Sequence, residues 1–163
     1  MPELELLRVD HAPALLAFER ENRAYFAASV PDRGDSYFAY FDDRHGALLA
    51  EQADGLCFFH LLVGDDGEVL GRVNLVDVED GAAELGYRIA ERAAGRGLAT
   101  AAVREVCRLA ATRYGVTTLR AVTTLDNTGS RTVLTRTGFV PTGEISVDGR
   151  PGMGFVRSEP PTR

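Results

Sequence analysis

The sequence contains no lysine, so all 18 of its basic residues are arginine. A Walker A phosphate loop needs a lysine at a fixed position and is excluded at once. Cysteine is nearly as scarce. Cys57 lies in an apolar run and Cys107 in a helical pattern, in neither CxxC nor CxxH spacing. This excludes a disulfide framework and reads as two buried, reduced thiols of a cytosolic protein. No apolar run approaches the roughly 20 residues that span a bilayer. The start, MPELELLRVD, is acidic where a secretory signal would be basic. A soluble cytoplasmic protein, with no membrane partner, is expected.

Excess positive charge is also missing. The formal net charge is −6 and the pI is near 5.1, which argues against a broad nucleic-acid surface, because phosphates must be neutralised by a basic face. The three histidines, His11, His45 and His60, show no ligand spacing, so no metal is expected, and His60 in FFHLLV reads as a hydrogen-bonded core residue.

What is present is a regular alternation of elements. At 163 residues the chain suffices for one domain that buries roughly two thirds of its unfolded surface. Residues 1–158 are expected to form that domain, with 159–163 as a disordered tail. ELELLRV alternates as a first strand, and HAPALLAFERENRAYFAAS has helical spacing. A second helix is expected from Asp35, as N-cap, through Gln52, with Gly46 inside it at a cost of about 1 kcal/mol. LCFFHLLV, EVLGRVNLVDVE and AELGYRIAE follow as strands joined by Asp66-Gly67 and Asp80-Gly81 turns, an antiparallel meander. Then come a helix (97–113), a strand (118–125), a short helix (128–137), a strand (139–147) and a last strand within PGMGFVRS. Together these predict one α+β unit with a mixed sheet.

The stretch RAAGRGLAT, residues 92–100, opens the first of the two later helices. The first N–H groups of a helix have no internal partner, and its dipole leaves about half a positive charge there, so a phosphate is a natural ligand. Gly95 and Gly97 remove side chains that would keep a diphosphate off the backbone. Arg92 and Arg96 offer charge-assisted hydrogen bonds, and Thr100 a hydroxyl. A tight turn with glycines for positive φ only is the alternative. A dinucleotide fingerprint would need a third glycine at Thr100 and a parallel βαβ unit, and has neither.

Arg92-Ala-Ala-Gly95-Arg-Gly97 has the form [QR]-x-x-G-x-[GA], which resembles the pyrophosphate loop of the GCN5-related N-acetyltransferases, the GNAT superfamily. Asn127-x-x-Ser130-x-x-Val133-Leu134-x-Arg136-x-Gly138-Phe139 resembles the corresponding segment of its RimJ/RimL branch, the ribosomal-protein N-terminal acetyltransferases. ENRAYFA, GEVLGRVNL and AELGYRI extend the resemblance over nearly the whole chain. It implies the GNAT fold, a mixed, mostly antiparallel sheet flanked by helices and splayed at the cofactor site between strands 82–91 and 118–125. It implies acetyl-CoA as co-substrate, held by Tyr87, Arg88, Ile89, Arg92, Gly95, Arg96, Gly97, Leu98, Ala99, Thr100, Asn127, Ser130 and Arg136. The sequence departs from the family at Phe139-Val-Pro-Thr142-Gly143-Glu144, with Thr142 where a glutamate often precedes glycine.

Acetyl transfer to an amine needs a neutral amine, a polarised carbonyl and a proton for the departing thiolate. By the resemblance, Ser130 donates that proton, and a backbone N–H on a bulged strand near Tyr87 to Ile89 polarises the carbonyl. Glu84 and Glu144 are the candidate bases, each equally readable as a solvated carboxylate. No stronger base stands out, which favours an acceptor that needs little help. An α-amine is roughly 10% neutral at pH 7, a lysine amine only about 1 part in 2,500. The expected reaction is direct attack by a primary amine, a protein N-terminal α-amine in the first instance, in a ternary complex. A small-molecule amine acceptor, or an acyl-CoA-binding sensor without turnover, are the alternatives. A homodimer is compatible with such a chain, but no residue decides it.

Overall fold

A computed structural model describes residues 2–159 of the chain. Met1 and residues 160–163 lie outside the described residues, so the expected disordered tail is represented only by Glu159. The strands are β1 (Glu3–Leu6), β2 (Phe58–Val63), β3 (Val69–Glu79), β4 (Ala82–Ile89), β5 (Thr118–Thr124), β6 (Val140–Val147) and β7 (Arg150–Ser158). The helices are α1 (Ala12–Glu21), α2 (Arg23–Ala27), α3 (Asp35–Ala39), α4 (Phe41–Ala53), α5 (Leu98–Thr112) and α6 (Thr128–Arg136).

The seven strands form one open mixed sheet in the order β1-β2-β3-β4-β5-β7-β6, and every neighbouring pair is antiparallel except β4 with β5. The architecture is α+β, as the alternation of elements implied. Strand alternation sends successive side chains to opposite faces and builds two cores. Val73, Leu75, Ala83 and Leu85 meet Val103, Val106 and Ala110 of α5 and Leu134 of α6. Phe59 and Leu61 meet Leu15, Phe18, Phe26, Tyr37 and Phe41 from α1 to α4. In α5 the buried positions Ala102, Val103, Val106, Cys107 and Ala110 fall on one stripe, and each buried valine contributes about 1.5–3 kcal/mol.

The parallel pair positions the site. β4 and β5 pair only at Ala82↔Thr118, Ala83↔Leu119 and Glu84↔Arg120. Beyond that rung β4 continues on β3 as far as Ile89, and β5 continues on β7 as far as Thr124. The two strands therefore diverge from Leu85 and Ala121 onward.

Three local expectations are corrected. The first helical stretch is two helices, because Asn22 donates its side-chain amide to the Phe18 carbonyl at 2.9 Å and adopts φ −105°, ψ 8°. Short polar side chains compete with the helix in this way. The second stretch breaks at Tyr40 (φ −112°, ψ 29°), where Tyr37, Phe38 and Phe41 pack edge-on, and Gly34 rather than Asp35 takes the N-cap position. Asp35 turns instead to Arg23, which donates to it at 2.8 Å. Finally, β3 and β4 pair regularly from Gly71↔Ile89 to Val76↔Glu84, and their register shift lies between Val76 and Glu79. No bulge occurs near Tyr87 to Ile89.

Candidate active site

A regular ladder at Tyr87 to Ile89 still yields free donors. The Ala90 N–H donates to the Leu70 carbonyl across β3, and antiparallel ladders alternate. The main-chain groups of Tyr87 and Ile89 therefore point away from β3, into the gap that β5 has left. The splay supplies the exposed N–H groups for which a bulge was expected.

At the end of β4 the chain turns through Glu91–Ala93 and enters the glycine loop. Gly97 is the N-cap of α5 in the left-handed conformation (φ 75°, ψ 7°), with no side-chain cap bond, and Gly95 has φ 77°. The N–H groups of Leu98, Ala99 and Thr100 have no carbonyl within the helix to receive them. A Cβ built on Gly95 or Gly97 would meet no atom within 4 Å. Packing does not demand glycine there. The left-handed backbone does, together with the open space over the helix end. Asn22 steadies this loop from the far side, its Oδ1 accepting the Glu91 N–H at 3.0 Å.

A cavity of about 430 Å³ runs from this loop to α6. It is lined by Gly95, Gly97, Leu98, Ala99 and Thr100 from the loop and helix, by Tyr87, Arg88 and Ile89 from β4, and by Asn127, Ser130 and Arg136 from α6. The fold thus brings these eleven expected cofactor positions together. Arg92 and Arg96 do not line it: both are exposed, and Arg96 donates to the Arg92 carbonyl at 2.7 Å. Among the lining residues there is no aspartate, glutamate or histidine.

A second cavity of about 360 Å³ adjoins the first and shares Tyr87, Arg88, Asn127 and Ser130 with it. It occupies the mouth between Leu85–Arg88 and Ala121–Thr124 and extends to Arg33, Asn74 and the β6–β7 turn at Asp148. The two arms meet at one pair of hydroxyls. Asn127 caps α6 by accepting the Ser130 N–H at 3.1 Å, which fixes Ser130 in the first turn. The Tyr87 phenol and the Ser130 side chain both line this junction, and burial raises the pKa of the phenol. The phenol therefore stays protonated at neutral pH.

The candidate bases stand elsewhere. Glu84 is half-buried on the last paired rung, opposite Arg120, and Glu144 is exposed on β6, opposite Met153. Neither lines either arm. His60 is buried and pulled down to about 4 by desolvation. Its Nε2 meets the Tyr114 hydroxyl at 2.7 Å, so it serves the core. Burial pushes both cysteine thiols up to about 11, which leaves no thiolate nucleophile. Among the described residues no group of three or more His, Cys, Asp or Glu could hold a metal ion, and no helix is long and apolar enough to cross a membrane.

Sequence reasoning missed two features, the hydroxyl pair Tyr87–Ser130 and an arginine cluster around Glu19. Tyr87 and Ser130 lie 43 positions apart, and Glu19 lies 14, 53 and 69 positions from Arg33, Arg72 and Arg88, so tertiary packing and no local pattern joins them.

Residues 3–140 match the family model described as the acetyltransferase (GNAT) domain. The chain belongs to the GNAT acetyltransferases. Enzymes of this family use acetyl-CoA and transfer its acetyl group, which makes the chain an N-acetyltransferase by family. Among solved structures it is similar to the ribosomal-protein-S5-alanine acetyltransferase of Vibrio fischeri, at TM-score 0.90 and 20% identity, covering 96% of this chain and 92% of that one. It is also similar to Mycobacterium smegmatis RimJ in complex with CoA-disulfide, at TM-score 0.84 and 24% identity, over 95% and 80% of the two chains. A spermidine N-acetyltransferase SpeG chimera from Vibrio cholerae and hSSAT aligns at TM-score 0.80 and 14% identity, over 96% and 95%. At these identities the likeness shows the GNAT fold and leaves the acceptor open. No curated protein matches the chain.

Proposed function

We propose that the chain transfers the acetyl group of acetyl-CoA to the α-amine of a protein N-terminus, by direct attack within a ternary complex, with residues 1–158 acting as one domain. The observation that carries this reading is the meeting of two open arms at Tyr87 and Ser130, in the gap between β4 and β5.

Acetyl-CoA supplies an activated thioester. The glycine loop and the α5 N-terminus suit its pyrophosphate: three unpaired N–H groups, open space above Gly95 and Gly97, and Arg136 in the lining. Arg92 and Arg96 add positive charge at the rim. The main-chain groups of Tyr87 and Ile89 hydrogen-bond an extended arm laid in the gap, and one of these N–H groups polarises the carbonyl. Ser130 gives a proton to the departing sulfur, and Tyr87, protonated and lining the same junction, is the second hydroxyl donor there.

The deprotonation side favours an α-amine. Among the lining residues of both arms Asp148 is the single carboxylate, and there is no histidine. With so little base at hand, an amine with pKa near 8 needs about 200-fold less assistance than a lysine. A polycationic acceptor is disfavoured by the arginines of the second arm.

Isothermal titration with acetyl-CoA, CoA and NAD, followed by CoA release on N-terminal peptides and on small amines, tests the reading. Micromolar acetyl-CoA binding, no NAD binding and turnover of peptides with a free α-amine are expected. Turnover confined to small amines would move the acceptor out of the protein class. Binding without CoA release across both sets would make the chain an acyl-CoA sensor.

A further inference from the structure

Glu19 points from α1 into the sheet and is 1% exposed. A carboxylate leaves water only when compensated. Arg72, itself 3% exposed, donates from Nη1 to its Oε2 at 2.7 Å, and that pair is already neutral. Yet Arg33 donates from Nε and Arg88 from Nη1 to the other oxygen, at 3.1 and 3.4 Å. Three guanidinium groups thus surround one carboxylate and leave two positive charges beyond neutrality.

A cluster that served packing alone would gain by being balanced. Here the surplus has a cost: burial first, then the charge of Arg33, pulls the Arg88 pKa down to about 10. The chain as a whole is acidic, with net charge −6, so this positive site runs against the background. Both surplus arginines open onto the acceptor arm, and each spends one N–H on Glu19. Two buried atoms beside them lack a protein partner, Arg72 Nε and Asn74 Oδ1, the latter on a residue of the same lining. Asn74 pairs across the sheet with Gly86, which has no side chain to cover it. Asp148 is the one carboxylate in the lining, and with Glu19 it still leaves the group one charge positive.

We propose that Arg33 and Arg88 form a carboxylate subsite, so that the acceptor is an amine carrying a carboxylate a few bonds from the nucleophilic nitrogen. The inference rests on the acetyl-transfer reading and narrows its substrate. The carboxylate comes from one of two sources, an acidic side chain near a peptide N-terminus or the α-carboxylate of a free amino acid. Asn74 Oδ1 accepts an N–H from the same acceptor.

The test uses matched acceptors that differ only in the carboxylate: peptides beginning Glu-Ala or Gln-Ala with amidated C-termini, and free amino acids against their α-amides. The acid member of one pair is expected to exceed its amide about tenfold to a hundredfold in kcat/KM, and the pair that responds identifies the source. Arg33→Gln should bring that ratio within twofold while the KM for acetyl-CoA stays unchanged, and Arg33→Lys should restore part of it. A wild-type ratio within twofold, or a preference that survives Arg33→Gln, overturns the subsite. If no acceptor releases CoA, the transfer reading fails by itself. The subsite is then decided by titrating the CoA-loaded protein with N-acetylglutamate and with its diamide: tighter acid binding, lost in Arg33→Gln, keeps it, and equal binding ends it.

Discussion

The two faces of the sheet handle charge in opposite ways. The face under α5 and α6 is apolar, and its one deeply buried ionisable ring, His60, is kept neutral. The face under α1 to α4 buries Glu19 among three arginines. On the proposed reading the cofactor's anion is met mainly by backbone N–H groups at the α5 end, and the acceptor by side chains of the charged face. Backbone recognition comes from one contiguous loop and serves a constant ligand. A side-chain cluster gathered from three elements and a loop can be retuned one residue at a time, as suits a ligand that differs among relatives of one fold.

Breaking the charged face should have the largest effect. Glu19→Gln leaves three guanidinium groups facing one another, and loss of a buried ionic partner costs roughly 3–5 kcal/mol. Denaturant unfolding of the variant checks it, and a change below about 1 kcal/mol would mean the cluster is well hydrated.

The neutral face predicts an acid sensitivity of opposite origin. His60 has a folded pKa of about 4 against 6.5 when free, so the unfolded chain takes up a proton that the fold refuses. The stability this provides is complete above pH 6.5 and is lost as pH falls toward 4, by roughly 3 kcal/mol. Melting temperatures across that window, in the wild type and in His60→Gln, should show the variant with the shallower loss.

Where the faces meet, Ser130→Ala should lower kcat about a hundredfold with little change in acetyl-CoA affinity. A kcat within twofold of wild type would make Ser130 a cap residue only. The smallest expected change sharpens the backbone side of the comparison. Gly97→Val forces a β-branched residue to φ 75° and fills the space above the loop, so acetyl-CoA should bind about tenfold to thirtyfold more weakly. Titration measures it, and unchanged affinity would assign the glycines to the turn alone.

Much of the cofactor arm was legible in the sequence because its parts are local. Arg92 to Thr100 is a single turn into a helix, and Asn127, Ser130 and Arg136 share one short helix whose cap and Gly138 stop were readable from residue type. The meander and its turns were equally readable. Helix breaks at Asn22 and Tyr40 were not: the Asn22 amide that turns back to Phe18 is also held through its Oδ1 by the distant Glu91 N–H, and aromatic packing surrounds the second break. The two candidate bases, chosen as carboxylates flanking the motifs, stand outside both arms.

By itself, then, the sequence determined the elements, the glycine loop and the cap of α6, since capping, turn conformation and hydrophobic periodicity act over a few neighbouring residues. Only the tertiary structure decided that β4 and β5 part after Glu84, that Tyr87 and Ser130 line one junction, and that Arg33, Arg72 and Arg88 converge on Glu19. Those juxtapositions depend on strand register and on which face each side chain takes. Both are set by the burial of the whole sheet between its helices, and neither by any one segment.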